Sequence, residues 1–382
     1  MSFLYPVKLP ASFRPKIWGK RNLGPWFLSK NLPGNRIGEV WYSFEDNRIQ
    51  DGPFVGLTVS DLIGKFGKRL MGPDYRPNAT QRRSTSKENT PVSYAQPYFP
   101  ILSKLLFTSD RLSVQVHPND EHAMRHHNGT GKTEAWHIVA AEPKSQIALG
   151  LKETLSSEKF RRLATTGKII DYLNWIDVKR GDTYFVAPGT LHALGPGLVI
   201  CEIQQNSDLT YRVYDYDRPS IDGCLRPLHV DQAAITSCFD KYDPRSVPPF
   251  SFFESKTDMR RELLVACPYF AMEKISWMRA SYFEFSGVSP ELLIFLEGCG
   301  QMNVTAVNPS LSISAEHESS SQSCVNYAPG DAFMLPCETP GVTLHPTTLT
   351  VAIRTYIPNL ERLTESLRLA GATSEHLSML IR

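Results

Sequence analysis

Residues 112–118 read Leu-Ser-Val-Gln-Val-His-Pro, and the alternation within them decides how the chain is read. In an extended strand, Leu112, Val114 and Val116 turn to one face, and Ser113, Gln115 and His117 turn to the other. A row of Ser, Gln and His does not build an apolar core. It either meets solvent on the wet face of an antiparallel sheet or lines a polar cavity.

Similar short runs recur along the chain. Leu112–His117, Glu134–Ala140, Thr183–Ala187, Leu198–Gln204, Tyr211–Tyr216, Glu291–Leu296 and Leu349–Ile357 all read as strands, with turn residues between them. Together with 28 prolines, this predicts a mainly β protein, a sandwich or barrel. Helical periodicity is confined to three stretches. Val59–Leu70 puts Leu62, Ile63, Phe66 and Leu70 on one face, Leu155–Ala164 has Ser156 or Ser157 as a cap, and Leu360–Leu369 stops at Gly371. The Pro-rich segment Lys241–Ser251 predicts a linker between a larger N-terminal unit (1–245) and a smaller C-terminal β unit (252–359), with 360–382 as a helical tail. The polar stretches Arg76–Thr90 and Asn308–Ser323 predict loops. One faint echo stands out. Gly181-Asp182 precedes Tyr184-Phe185-Val186-Ala187-Pro188, and Gly330-Asp331 precedes Phe333-Met334-Leu335-Pro336, as two barrels of one type would produce.

Composition excludes several classes. In 382 residues, 41 Lys+Arg stand against 39 Asp+Glu, a net charge of +2 and too little for a general nucleic-acid or membrane-surface binder. No apolar run is long enough to span a bilayer. The N-terminal stretch has no signal-peptide pattern, and the expectation is a cytoplasmic protein. The seven cysteines (Cys201, Cys224, Cys238, Cys267, Cys299, Cys324 and Cys337) are odd in number and contain no C-x-x-C pair. They predict free thiols rather than a disulfide framework or a thiolate metal site.

Three further runs carry polar chemistry. In Gly131-Lys-Thr-Glu-Ala-Trp-His-Ile138, Lys132 and Glu134 share a face with apolar Trp136 and Ile138. A carboxylate there needs a partner, and a metal ion would supply one. His137 alternates away from this face. Residues 181–193 deliver His192 just past a Pro-Gly turn. Gln115, His117, Glu134 and His192 together offer two imidazoles, a carboxylate and an amide oxygen, a set that suits a borderline divalent metal, zinc first, with room for water or substrate. In residues 202–218, Glu202 and Arg212 fall on polar-faced strands, with Tyr214 and Tyr216 on Arg212's side. They read either as a structural ion pair or as a proton carrier and an anion clamp. His122, His126 and His127 read as solvated loop histidines, and Cys201 as core packing.

The four runs, SVQVHPND at 113–120, GKTEAWHIV at 131–139, GDTYFVAPGTLHALGPG at 181–197 and EIQQNSDLTYRVYDYDR at 202–218, resemble in order and spacing the type I phosphomannose isomerases, zinc enzymes of the cupin superfamily. The likeness is to their compact bacterial form. It extends to Lys16-Ile-Trp-Gly19 and Gly38-Glu-Val-Trp41, and is looser beyond Arg218. It implies two cupin-type jelly-roll barrels with a few short helices. It also implies an aldose–ketose isomerase that interconverts mannose 6-phosphate and fructose 6-phosphate through an enediol(ate). Gln115, His117, Glu134 and His192 would hold one zinc ion per chain. Arg212 would match the catalytic arginine, Glu202 and Lys132 acid/base or substrate-binding positions, and Ser113 a substrate-site hydroxyl. The implied partner is a small sugar phosphate, with no nucleic acid or membrane.

The chain departs from the family at two points. Ala187-Pro188-Gly189-Thr190 shifts the turn proline by one, and Asn119 stands where Asp is common. The C-terminal half is divergent and is not expected to hold a second metal. Other readings are a sugar-phosphate-binding cupin module without turnover, or an isomerase of another aldose phosphate. A decayed module would be expected to lose a ligand or catalytic position, and none is lost.

Overall fold

The computed structural model describes residues 5–28, 34–76, 97–253, 258–285, 287–304, 324–339 and 341–382. The fold is mainly β, with 39% strand against 19% helix. Among the described residues, four antiparallel sheets form two sandwiches.

In the first sandwich a six-stranded sheet runs Ser12–Lys20, Ile37–Trp41, Ile101–Phe107, Leu198–Gln205, Glu134–Ala141, Thr183–Val186. It faces a five-stranded sheet of Tyr211–Tyr214, Val114–Val116, His192–Leu194, Gln146–Leu151 and Leu173–Asp177. In the second sandwich a seven-stranded sheet runs Phe250–Phe253, Arg260–Ala266, Ala271–Trp277, Thr350–Tyr356, Glu291–Glu297, Ala332–Leu335, and ends with Val7–Leu9 from the start of the chain. It faces Ser281–Glu284, Gly341–Pro346, Gly300–Val304 and Cys324–Tyr327.

Side-chain alternation explains the layering. Leu106, Trp136, Ile138 and Ile200 turn inward to meet Ile147, Leu149 and Leu194 of the five-stranded sheet. Their neighbours Leu105, Phe107, Cys201 and Ile203 turn outward and pack on Leu264, Met272, Leu292, Ile294 and Ile353 of the seven-stranded sheet. The two large sheets are thus joined back to back by a mainly apolar layer. Burial there supplies roughly 25 cal/mol per Å² of apolar surface removed from water.

The two large sheets repeat one strand order, and the echo in the sequence marks the repeat. Gly181 and Gly330 have φ of 95° and 89°. The carboxylates of Asp182 and Asp331 accept hydrogen bonds from the backbone N–H groups of Lys179 and Ala328, both at 3.0 Å. Each turn feeds the strand that pairs with the one beginning at Glu134 or Glu291.

Several expectations need correction. The periodic stretch 59–70 is two helices, Val59–Phe66 and Lys68–Met71, because Gly67 at φ 48° breaks it. The 211–216 strand stops at Tyr214, since Tyr216 and Asp217 adopt φ of 59° and 51°. The 112–117 strand shortens to Val114–Val116. His122, His126 and His127 are not in a loop. They lie on the helix Asp120–His127, which Asn119 caps by accepting from His122 N–H. The stretch 241–251 is irregular only up to Pro249, where strand Phe250–Phe253 begins. Ser156 caps Ser157–Thr165, and Leu360–Leu369 forms as read. Residues 77–90 and 308–323, expected to form loops, lie outside the described residues. Among those described, no helix is long and apolar enough to cross a membrane.

Candidate active site

One end of the first sandwich gathers polar side chains from both sheets. His192 and Gln115 are register partners on adjacent strands, and Arg212 pairs with Gln115 on the next strand out. His117 lies just beyond Val116, on the face that Gln115 shares. The opposite sheet contributes Glu134, at the start of its strand, and Glu202, which is paired with Trp136.

His117, Glu134 and His192 are all buried, and their ligating atoms lie within 4.8 Å of one another. His117 Nε2 is 3.6 Å from Glu134 Oε2, and His192 Nε2 is 3.4 Å from Glu134 Oε1. Each imidazole is anchored from behind. His117 Nδ1–H donates to the Leu209 carbonyl and His192 Nδ1–H to the Thr190 carbonyl, both at 2.8 Å. Those bonds fix the tautomer and leave a lone pair on each Nε2, facing Glu134. The amide of Gln115 lies 3.2 Å from His192 Nε2. Both Glu134 oxygens are buried without a well-formed hydrogen bond. A carboxylate in that state is costly unless a cation meets it. Lys132 meets one oxygen only, as an ion pair with Nζ 2.9 Å from Oε2, and lies equally close to His117 Nε2. Two lone-pair imidazoles, an under-satisfied carboxylate and a neighbouring amide therefore fit a divalent metal ion.

The electrostatics agree. Burial pushes the Glu134 carboxyl up to about 7, partly offset by Lys132. Burial, followed by the Lys132 charge, holds His117 well below the usual imidazole range, and burial brings His192 down to about 4. Both imidazoles are thus neutral at neutral pH, as metal ligation requires.

Beside this cluster lies a cavity of about 230 Å³, with Ser113, Gln115, Lys132, Glu202 and Arg212 in its wall. Glu202 accepts from Trp136 Nε1–H at 3.0 Å and pairs with Lys104 Nζ at 3.1 Å. Burial alone would raise its carboxyl, but the Lys104 and Lys132 charges outweigh burial and hold it low. Arg212 donates Nη1–H to the Pro227 carbonyl, and its buried Nε–H has no hydrogen-bond partner. All seven polar positions read from the sequence, with Ser113, therefore come together. His137 is away from the site, bonded to Thr183 Oγ1. His122 and His127 are half-buried, and both bond the Tyr211 hydroxyl.

Sequence reading missed Lys104, Glu39, Lys16 and Arg226, which also line the cavity. Lys104 carries the clearest signal. A lone Lys in the apolar run Ile101–Phe107 has to be paired. It bonds Gln204 Oε1 at 2.6 Å as well as Glu202. Glu39 is brought down to about 2; burial opposes this, but Lys16 and Lys104 overcome it. A larger cavity, about 510 Å³, opens beside the second sandwich, but the inner charges in its wall, Arg261 and Arg354, already pair with Glu273.

The mannose-6-phosphate isomerase of Streptococcus mutans is 32% identical to the chain over 304 residues, spanning 78% of this chain and 87% of that protein. Mannose-6-phosphate isomerase ManA of Bacillus subtilis is 32% identical over 305 residues, with the same two coverages. No family model matches the chain. Among solved structures, a Bacillus subtilis mannose 6-phosphate isomerase superposes with a TM-score of 0.75 at 26% identity, covering 93% of this chain and 100% of that one. A variant of the Salmonella typhimurium phosphomannose isomerase gives 0.64 at 14% identity, covering 92% and 99%, a likeness of fold.

Proposed function

The chain belongs to the mannose-6-phosphate isomerase family, and we propose that it interconverts mannose 6-phosphate and fructose 6-phosphate through an enediol(ate), with one zinc ion held by Gln115, His117, Glu134 and His192. The observation that carries this reading is the pair of back-anchored imidazoles facing the under-satisfied Glu134 carboxylate, next to a cavity lined by Lys132, Glu202 and Arg212. Zinc is the borderline metal that best suits two nitrogens, a carboxylate and an amide oxygen; when bound, it orders sugar hydroxyls and polarises oxygen.

The chain's own groups do the rest. Moving a proton between C1 and C2 needs a carrier on one face of the open-chain sugar. Glu202 is our first choice. It stays ionised against burial because Lys104 and Lys132 flank it, so it is ready to accept a proton. Lys132 is the second carrier. Negative charge that develops on the enediolate oxygen needs a fixed donor, and the free Nε–H of Arg212 is one. Ser113 supplies a hydroxyl to the substrate. Lys16 and Arg226, part-exposed in the cavity wall, are the cations nearest the phosphate, which would share them with their partners Glu39 and Asp215. The same proposal places the division of the chain in 246–251, with 360–382 as a tail, because the strand order restarts at Phe250. The test is a coupled isomerase assay on mannose 6-phosphate with the Glu202→Gln and Arg212→Ala variants. Both should keep the metal and lose turnover.

A further inference from the structure

The geometry points to Tyr269, in the second unit, as a positioning residue for Lys132 in the first. The inference rests on the proposed role of Lys132 at the substrate. Tyr269 lies in the turn between strands Arg260–Ala266 and Ala271–Trp277, closed by the Cys267 N–H donating to the Phe270 carbonyl at 2.8 Å. Its hydroxyl reaches across to the first unit and donates to Asp120 Oδ2 at 2.5 Å. The other oxygen of Asp120 accepts from Gly131 N–H at 2.8 Å and from Gln205 Nε2–H at 3.0 Å. Gln205 in turn accepts Thr133 N–H at 2.8 Å, and Lys132 N–H donates to the Pro118 carbonyl at 3.0 Å.

Every backbone N–H from 131 to 133 is therefore pinned, and two of the three bonds run through Asp120 or its partner Gln205. Gly131 is packed so closely that a Cβ there would lie 2.6 Å from the backbone of Asn119 and Asp120. The segment has one place to sit, and the Asp120 carboxylate sets it. Asp120 is itself held on one oxygen by its own unit and on the other by Tyr269. A hydrogen bond of a charged acceptor is strong and directional, so it transmits position. Displacements of about 1 Å at a reacting group are enough to cost turnover. Tyr269 keeps its proton for this role, since burial and Asp120 push the phenol up to about 12. The second unit thus contributes to the geometry of the reaction without touching the substrate.

The test compares Tyr269→Phe, Asp120→Ala and the double variant, each zinc-loaded, in the mannose 6-phosphate assay, with Lys132→Ala alongside. Tyr269→Phe removes one oxygen and leaves the turn intact. We expect kcat to fall about tenfold with KM changed by less than about twofold and zinc content unchanged. A merely structural contact would lower the melting temperature and leave kcat per folded molecule alone. The double variant should be no slower than Asp120→Ala, because both changes break one chain of contacts. Wild-type kcat in Tyr269→Phe, or losses that multiply in the double variant, would overturn the positioning role while Lys132→Ala stays inactive. An active Lys132→Ala would remove the role of Lys132 itself, and this inference with it.

Discussion

Lys104 Nζ lies 3.1 Å from Glu202 Oε1, and the two residues face each other on adjacent strands. The partners at the same place in the second large sheet are Glu273 and Arg354, 2.9 Å apart, with the signs reversed. The reversal decides which sandwich can do chemistry. Glu134 and Glu291 open equivalent strands. Arg354 donates to both Glu291 oxygens at 2.6 Å, whereas both Glu134 oxygens are left under-satisfied. The second network closes on itself, and the first stays open to a cation and a substrate.

The first consequence concerns the metal. His117→Ala or His192→Ala removes one of two anchored imidazoles, and metal content measured on the purified protein should fall from about one per chain to near zero, with activity lost in parallel. A fully loaded His192→Ala protein would remove His192 from the ligand set.

Arg212 is expected to act on the reaction and not on the metal. Arg212→Ala should keep the metal and lower kcat by about 10² or more, as loss of a fixed donor to a developing oxyanion does. Arg212→Lys should recover only part of this, because a point charge does not replace the planar fork. An Arg212→Ala variant at wild-type kcat would take arginine out of the mechanism.

Lys104→Met leaves Glu202 and Glu39 without their shared buried cation. Breaking a buried ion pair costs about 3–5 kcal/mol. Urea unfolding should show a midpoint shifted down accordingly, and the isomerase assay should show kcat reduced as the Glu202 carboxyl rises. An unchanged midpoint would mean that water or Lys132 compensates.

Acid stability follows from the closed network. The Glu273 carboxyl is brought down to about 2; burial opposes this, and Arg261 and Arg354 overcome it. A folded-state pKa below the ordinary value of 4.5 stabilises the fold above that pH. The contribution is lost as pH falls from there through about 2. Urea midpoints of the wild type should therefore drop steeply over that window, while Glu273→Gln, less stable at pH 7, should show a shallower slope. Parallel slopes would contradict the assignment.

Much of this site was legible because it is written in local alternation. Gln115 and His117 share a strand face, and Lys132 and Glu134 sit two apart, so period-two reading put each pair on one face, and the family resemblance joined the pairs into one set. His192 needed only its turn. What could not be read is what long-range pairing decides. Lys104 is a single cation in an apolar strand, and only its register with Glu202, 98 residues away by number, makes it part of the site. Asp120 carries no signal of its own in the sequence, and its part emerges only where Gly131 and Tyr269 converge on it. The break at Gly67 and the strand end at Tyr214 depend on backbone angles that hydrophobic periodicity does not encode.

The most direct test is a coupled assay of mannose 6-phosphate to fructose 6-phosphate on the purified chain, before and after chelation, with zinc then added back. The account predicts turnover that disappears with the chelator and returns with zinc. Turnover that survives complete removal of metal, or a folded, zinc-loaded protein with none, would contradict it.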